Sequence, residues 1–298
     1  MRALTAPGEA VLIEEPVYYP FREVVEANGR TVVPVPLIRD PDGAYRRDIA
    51  ALETVLERTG ARLLLLCNPH NPVGRVWSRD ELTELAETTA RHGVVVVADE
   101  IHADLALPGF ATTPFASVSE AAAAHTITCT SPSKSFNLAG LQVANILIPD
   151  AGLRARFRAE LNALGSSPPN ALGLTACRAA YESGDAWLDA LREHIAAARA
   201  HVEARVERIE GIEAAPCEGT YLLWLDCSGF LQAAGLEPER LDEVMLHEAG
   251  LWLDDGRIFG AGGEGFTRIN VACPRATLDA ALDRLEAAVA AVTARAAE

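Results

Sequence analysis

The chain of 298 residues holds 25 arginines and a single lysine, Lys134. A cation that only carries charge can be a guanidinium. An amine that must lose its proton and attack a carbonyl cannot, because arginine stays protonated. Lys134 lies in Ser131-Pro132-Ser133-Lys134-Ser135-Phe136-Asn137, with hydroxyls on both sides. Hydroxyls and backbone N–H groups suit a phosphate. A Schiff-base lysine beside a phosphate site points to pyridoxal 5'-phosphate (PLP). Two more polar segments, residues 68–74 (NPHNPVG) and 99–104 (DEIHAD), supply amide, carboxylate and imidazole groups. Asp99, Glu100, His102 and Asp104 superficially read as a metal cluster. On an extended segment they alternate faces instead of converging, so no metal is expected.

Strands must position these segments. Short apolar runs at 11–13, 32–35, 62–67, 126–129 and 142–148 read as strands. The β-branched run 94–97 (VVVV) is expected to be a central strand buried on both faces. Ile49, Leu52 and Leu56 have helical spacing within 46–58. Ser78 and Glu81 form a capping-box signature that opens another helix, which Gly93 ends. This rhythm implies βαβ units and a mainly parallel sheet. Ligands bind such sheets outside the carboxyl ends of the strands. Segments 68–74, 99–104 and 131–137 all fall there. Residues 152–208 read as mostly helical, interrupted at 165–170 (GSSPPN). Strand candidates at 221–226, 251–253 and 266–272 and a final helix at 277–294 suggest a smaller α+β domain. The expected division is a large domain at 1–152 and a long helical connection plus small domain at 153–298.

Composition removes several classes. The net charge is -16, from 42 acidic and 26 basic residues. That balance argues against a nucleic-acid or anionic-membrane surface. No apolar run approaches the ~18 residues of a spanning helix. No secretory signal is visible. Six scattered cysteines without a C-x-x-C pair read as reduced thiols in a cytoplasmic protein.

The combination of segments resembles a family. PGEAVLIEEPVYYPF (7–21), CNPHNPVGRVW (67–77), VVVVADEIHADL (94–105), TITCTSPSKSFNLAGLQ (126–142), TYLLWLD (220–226) and GGEGFTRINVACP (262–274) are similar to the fold-type I PLP enzymes of the class I/II aminotransferase superfamily. They cover most of the chain in the family's order. The resemblance implies an α/β large domain with a mainly parallel sheet and flanking helices, and a smaller C-terminal α+β domain. It assigns Lys134 to the Schiff base and to moving the substrate α-proton. It assigns Asp99 to the ring nitrogen, whose retained proton makes the ring an electron sink. Asn71 matches the partner of the ring oxygen, Tyr18 the stacking aromatic, and Ser131 and Ser133 phosphate ligands. Arg268 matches the bidentate partner of the substrate carboxylate.

His102 is the branch signal. Aminotransferases commonly carry Tyr three residues after the pairing Asp, whereas Asp-Glu-Ile-His is typical of the cystathionine β-lyase, or C–S lyase, branch. His102 is placed with the cofactor-binding residues. The run at 262–268 points the same way. Gln142 stands where many aminotransferases have a phosphate-contacting arginine, which shifts weight to other ligands. The implied activity is α,β-elimination of cystathionine or a related cysteine S-conjugate to thiol, pyruvate and ammonia, in a homodimer. An aminotransferase on the same scaffold is the alternative. The family's first quarter or so would precede Met1, and Met1–Thr5 resembles the tail of a helix from that part. This leaves a misassigned start, or a truncated chain with impaired PLP binding or a binding or regulatory role, as further readings.

Overall fold

The computed structural model describes residues 1–165 and 169–296. Part of the interruption expected at 165–170 therefore lies outside the described residues. Six strands form the larger sheet: β1 (Ala10–Glu15), β2 (Thr31–Pro36), β3 (Leu63–Cys67), β4 (Val95–Asp99), β5 (Thr126–Thr130) and β6 (Asn145–Leu147). Their order is β2-β1-β3-β4-β5-β6. All pairs are parallel except β5 with β6.

The pleat sorts side chains by parity. Leu12, Leu64, Leu66, Val96 and Ala98 meet Leu52 and Leu56 of helix Ile49–Thr59 and Leu82, Leu85 and Ala86 of helix Arg79–Arg91. Val11, Ile13, Leu63 and Leu65 face the other way, onto Val25 of helix Pro20–Ala27. Each fully buried side chain of this kind contributes roughly 1.5–3 kcal/mol. Asp48 and Ser78 cap the two crossover helices, Ser78 with Glu81 in a complete capping box. The helices end at glycines in the left-handed region, Gly60 (φ +61°) and Gly93 (φ +64°), just before β3 and β4 begin.

The smaller sheet has the order β9-β10-β8-β7, from β7 (Glu213–Ala214), β8 (Leu222–Asp226), β9 (Asp254–Asp255) and β10 (Phe266–Asn270). It is antiparallel throughout. Leu223, Leu225, Ile269 and Val271 pack on helices Asp185–Val206 and Arg275–Ala296 through Val202, Val206, Leu278, Leu282 and Leu285.

Several expectations change. The strand expected at 251–253 forms at Asp254–Asp255. The Leu251 N–H instead closes back on the Met245 carbonyl at 2.8 Å, and Trp252 is 92% exposed. The run 142–148 shortens to β6 and turns antiparallel, because the residues before it stay at the carboxyl end of β5 and make no crossover. The helical stretch 152–208 contains helices Ala151–Ala163, Ala171–Ser183 and Asp185–Val206. Met1–Thr5 is one hydrogen-bonded turn, with the Leu4 and Thr5 N–H groups on the Met1 carbonyl. Val95 and Val97 are only half-buried, so one face of β4 is less enclosed than the unbroken valine run suggested.

Candidate active site

The carboxyl ends of neighbouring parallel strands deliver four of the expected residues to one cleft. Tyr18 follows β1, Asn71 follows β3, Asp99 ends β4, and Lys134 follows β5. The small sheet adds Arg268 from β10. A cleft of about 240 Å³ is lined by these five and by His102, with Tyr19, Cys67, Ile101, Tyr221, Leu222 and Asn270.

Local bonding explains the placement. Lys134 sits in a short helix, Pro132–Ser135, that Ser131 caps. Ser135 Oγ donates to Asp104 Oδ2 at 2.7 Å, tying that helix to the segment after β4. The Asn68 N–H donates to the Asp99 carbonyl at 3.0 Å, and the Glu100 N–H to the Cys129 carbonyl at 2.9 Å. Loop 68–74 is held from both sides. Trp77 Nε1 donates to the Cys67 carbonyl at 3.0 Å. The Glu218 and Gly219 N–H groups donate to the Gly74 carbonyl at 2.8 and 3.0 Å. Gly74 has φ +74°, and a Cβ there would lie 2.9 Å from Cys217 Sγ.

Asp99 Oδ1 accepts from the Ile101 N–H at 3.2 Å, and Asp99 has no ion-pair partner within 4 Å among the described residues. Burial pushes its carboxyl up to about 6, while the Ile101 N–H and the Lys134 charge pull it down. At neutral pH it is a carboxylate in want of a cation. His102 is 4% exposed, its Nδ1 has no partner among the described residues, and its ring meets Tyr221 edge-on at 5.7 Å. Burial, with the Lys134 and Arg268 charges, holds its pKa down to about 3, so it is a neutral imidazole. Burial also raises the phenols of Tyr18 and Tyr221.

Arg268 donates from Nη1 to Asn71 Oδ1 at 2.8 Å, linking the two sheets across the cleft. Its guanidinium lies 4.7 Å over the Phe259 ring. Tyr19, next in the chain to Tyr18, also lines the cleft.

The two serines bond within their own segment and to a nearby carbonyl. The Val143 carbonyl can only accept, so the one Ser131 proton goes there at 2.6 Å. Ser133 then supplies its hydroxyl proton to Ser131 Oγ at 2.7 Å, and its N–H donates to the same oxygen at 3.1 Å. Ser131 is saturated, Ser133 spends its hydroxyl proton on it, and neither lines the cleft. A phosphate would have to take over one of these bonds, and the role of the two serines as its ligands stays a proposal. Tyr221 and Asn270 were missed as individual residues. Tyr221 stands at the head of a buried run, a position that by itself reads as the end of a strand.

Residues 1–285 match the family described as aminotransferase class I and II. The chain is 44% identical over 290 residues to cystathionine beta-lyase PatB of Bacillus subtilis (strain 168), covering 97% of this chain and 74% of that protein. The chain belongs to the class I and II aminotransferase family. Protein MalY of Escherichia coli (strain K12) is 34% identical over 294 residues, covering 98% of this chain and 73% of that one. Among solved structures, cystalysin from Treponema denticola, which contains a pyridoxal 5'-phosphate cofactor, matches with a TM-score of 0.92 at 37% identity. That match covers 97% of this family member and 73% of cystalysin. Within the family, the chain falls with the cystathionine β-lyases and C–S lyases, the latter represented by the PLP-bound C–S lyase of Staphylococcus hominis at a TM-score of 0.90 and 30% identity, covering 97% of this chain and 73% of that one.

Proposed function

We propose that the protein is a PLP-dependent C–S lyase that cleaves cystathionine or a related cysteine S-conjugate to a thiol, pyruvate and ammonia. The convergence in one cleft of the only lysine, a half-buried carboxylate with no ion-pair partner among the described residues, and an arginine with N–H groups to spare carries this reading. The donor set fits the cofactor. Asp99 lacks a cation, which a protonated ring nitrogen would supply, and His102 and Asn71 offer neutral polar groups beside it. When bound, PLP supplies an electron sink for the charge left when the substrate α-proton is removed.

In this reading the Lys134 amine holds the cofactor, then accepts the α-proton once the substrate amine has taken its place. Asp99 holds the proton on the ring nitrogen. Asn71 bonds the ring oxygen, and Tyr18 covers a ring face. Arg268 grips the substrate carboxylate. His102, neutral at working pH, neither adds charge beside Lys134 nor competes for its proton. A homodimer, a cytoplasmic location and the division at about residue 152 belong to the same proposal. Relatives also include a probable N-succinyldiaminopimelate aminotransferase of Mycobacterium tuberculosis, 34% identical over 226 residues. Transamination is therefore the second reading. Purified chain with PLP and cystathionine distinguishes them. Pyruvate and thiol released in equal amounts, without any 2-oxo acid present, support the lyase. Turnover that requires a 2-oxo acid acceptor contradicts it.

A further inference from the structure

Arg268 is held by a second side chain, from outside the cleft. Asp254 pairs with Arg268 across the antiparallel β9–β10 contact. Its Oδ2 accepts from both Arg268 Nε and Nη2, at 3.0 and 2.7 Å. Asp254 does not line the cleft; it borders a neighbouring cavity of about 210 Å³. It therefore meets the guanidinium from outside the place where a substrate would lie.

We propose that Asp254 is a positioning residue that orients the carboxylate-binding edge of Arg268. A guanidinium has five N–H groups in one plane. Asp254 takes one on Nε and one on Nη2, and Asn71 takes one on Nη1. One N–H on each of Nη1 and Nη2 is left without a partner among the described residues. Those two are the N–H groups left for a substrate carboxylate, and they act as a fork where both point along the end of the guanidinium. Phe259 covers one face of the same plane. Without Asp254 the plane can rotate about the side-chain bonds, and the fork loses its aim. The Asp254 charge also repels an incoming carboxylate, so its help to binding comes through orientation and not through attraction.

This inference rests on the reading of Arg268 as the carboxylate ligand, and the test separates the two. The PLP-loaded protein is titrated with glycine and with glycinamide, following the shift in cofactor absorbance. Glycine has no β-leaving group, so binding is read without elimination. A wild-type preference for glycine tests Arg268, and its absence removes both readings. Given that preference, Asp254→Ala should weaken glycine binding about tenfold by misorienting the fork, and leave glycinamide binding unchanged. Asp254→Asn, which keeps an acceptor oxygen, should lie closer to wild type. Glycine binding that is unchanged or tighter in Asp254→Ala overturns the proposal, as does an equal loss for glycinamide. The β9 backbone bonds do not involve this side chain, which is 40% exposed. Should the alanine variant not hold cofactor, Asp254→Ser, too short to reach Nε and Nη2 together, is expected to give the same loss.

Discussion

Asp99 and Lys134 are chemically matched but not paired, and that shapes what their substitution should do. Asp99→Asn keeps the side-chain oxygen that accepts from Ile101 but removes the charge. It should lower kcat by about 10²–10³, the cost of losing one electrostatic partner of the reacting system. The measurement is steady-state turnover, with PLP saturation checked by absorbance. His102 makes a pH prediction. Its folded pKa, about 3, lies below the ordinary 6.5. The unfolded chain therefore binds a proton there first, and the native state loses stability as pH falls from 6.5 towards 3. Asp99 and Glu100, raised by burial to about 6 and about 7, act with the opposite sign, losing stability as pH rises through those values. The difference between wild type and His102→Gln isolates the histidine. Denaturant unfolding should show wild type falling relative to the variant as the pH is lowered below 6.5. A difference that is flat with pH would mean that His102 is not buried neutral.

Elements carry the site to its place, and their caps and loops can be perturbed separately. Ser78→Ala removes the capping box of helix Arg79–Arg91. It should cost about 1 kcal/mol of stability with little change in kcat. Gly74→Ala should cost more and also impair turnover. Its φ is +74° and its Cβ would meet Cys217 Sγ at 2.9 Å, so loop 68–74, which carries Asn71, must shift. Unfolding midpoints and kcat measured on both variants check this split. The parallel strands were legible because short apolar runs alternate with capped helices. The cleft was legible because each polar segment follows such a run. The antiparallel turn of β6 was not, since its apolar run looks the same in either direction. Strand 251–253 was misplaced because apolar residues drew the assignment, whereas pairing with β10 selected Asp254–Asp255. The saturation of Ser131 depends on the Val143 carbonyl, twelve residues away, which no local pattern encodes.

At the scale of the molecule, the site exists only where two sheets meet. The first supplies Tyr18, Asn71, Asp99 and Lys134, and the second supplies Tyr221, Arg268 and Asn270. Glu218 is one fastener between them: Oε2 accepts from Arg75 Nε at 2.9 Å and from the Val76 N–H at 2.8 Å. Glu218→Ala should destabilise the protein by about 2 kcal/mol, since hydrogen bonds to a charged group are lost at a half-buried position. Glu15 is another, with Oε2 accepting from the Ala261 N–H at 2.9 Å while Arg22 holds Oε1 at 2.5 Å. Gly260 allows that approach, because a Cβ there would overlap the Glu15 carboxylate. The family relationship agrees with this division of labour, since the match runs through both sheets.

With one lysine in the chain, the amine that holds the cofactor can be identified directly. Incubation with PLP, reduction with borohydride, and mass spectrometry of the intact protein and then of its peptides ask how many adducts form and on which amine. Lys134 and the N-terminal amine are the only candidates. One adduct per chain is expected, on the peptide bearing Lys134, and none on Lys134→Arg. An adduct confined to the N-terminus, or an unmodified chain, would contradict it.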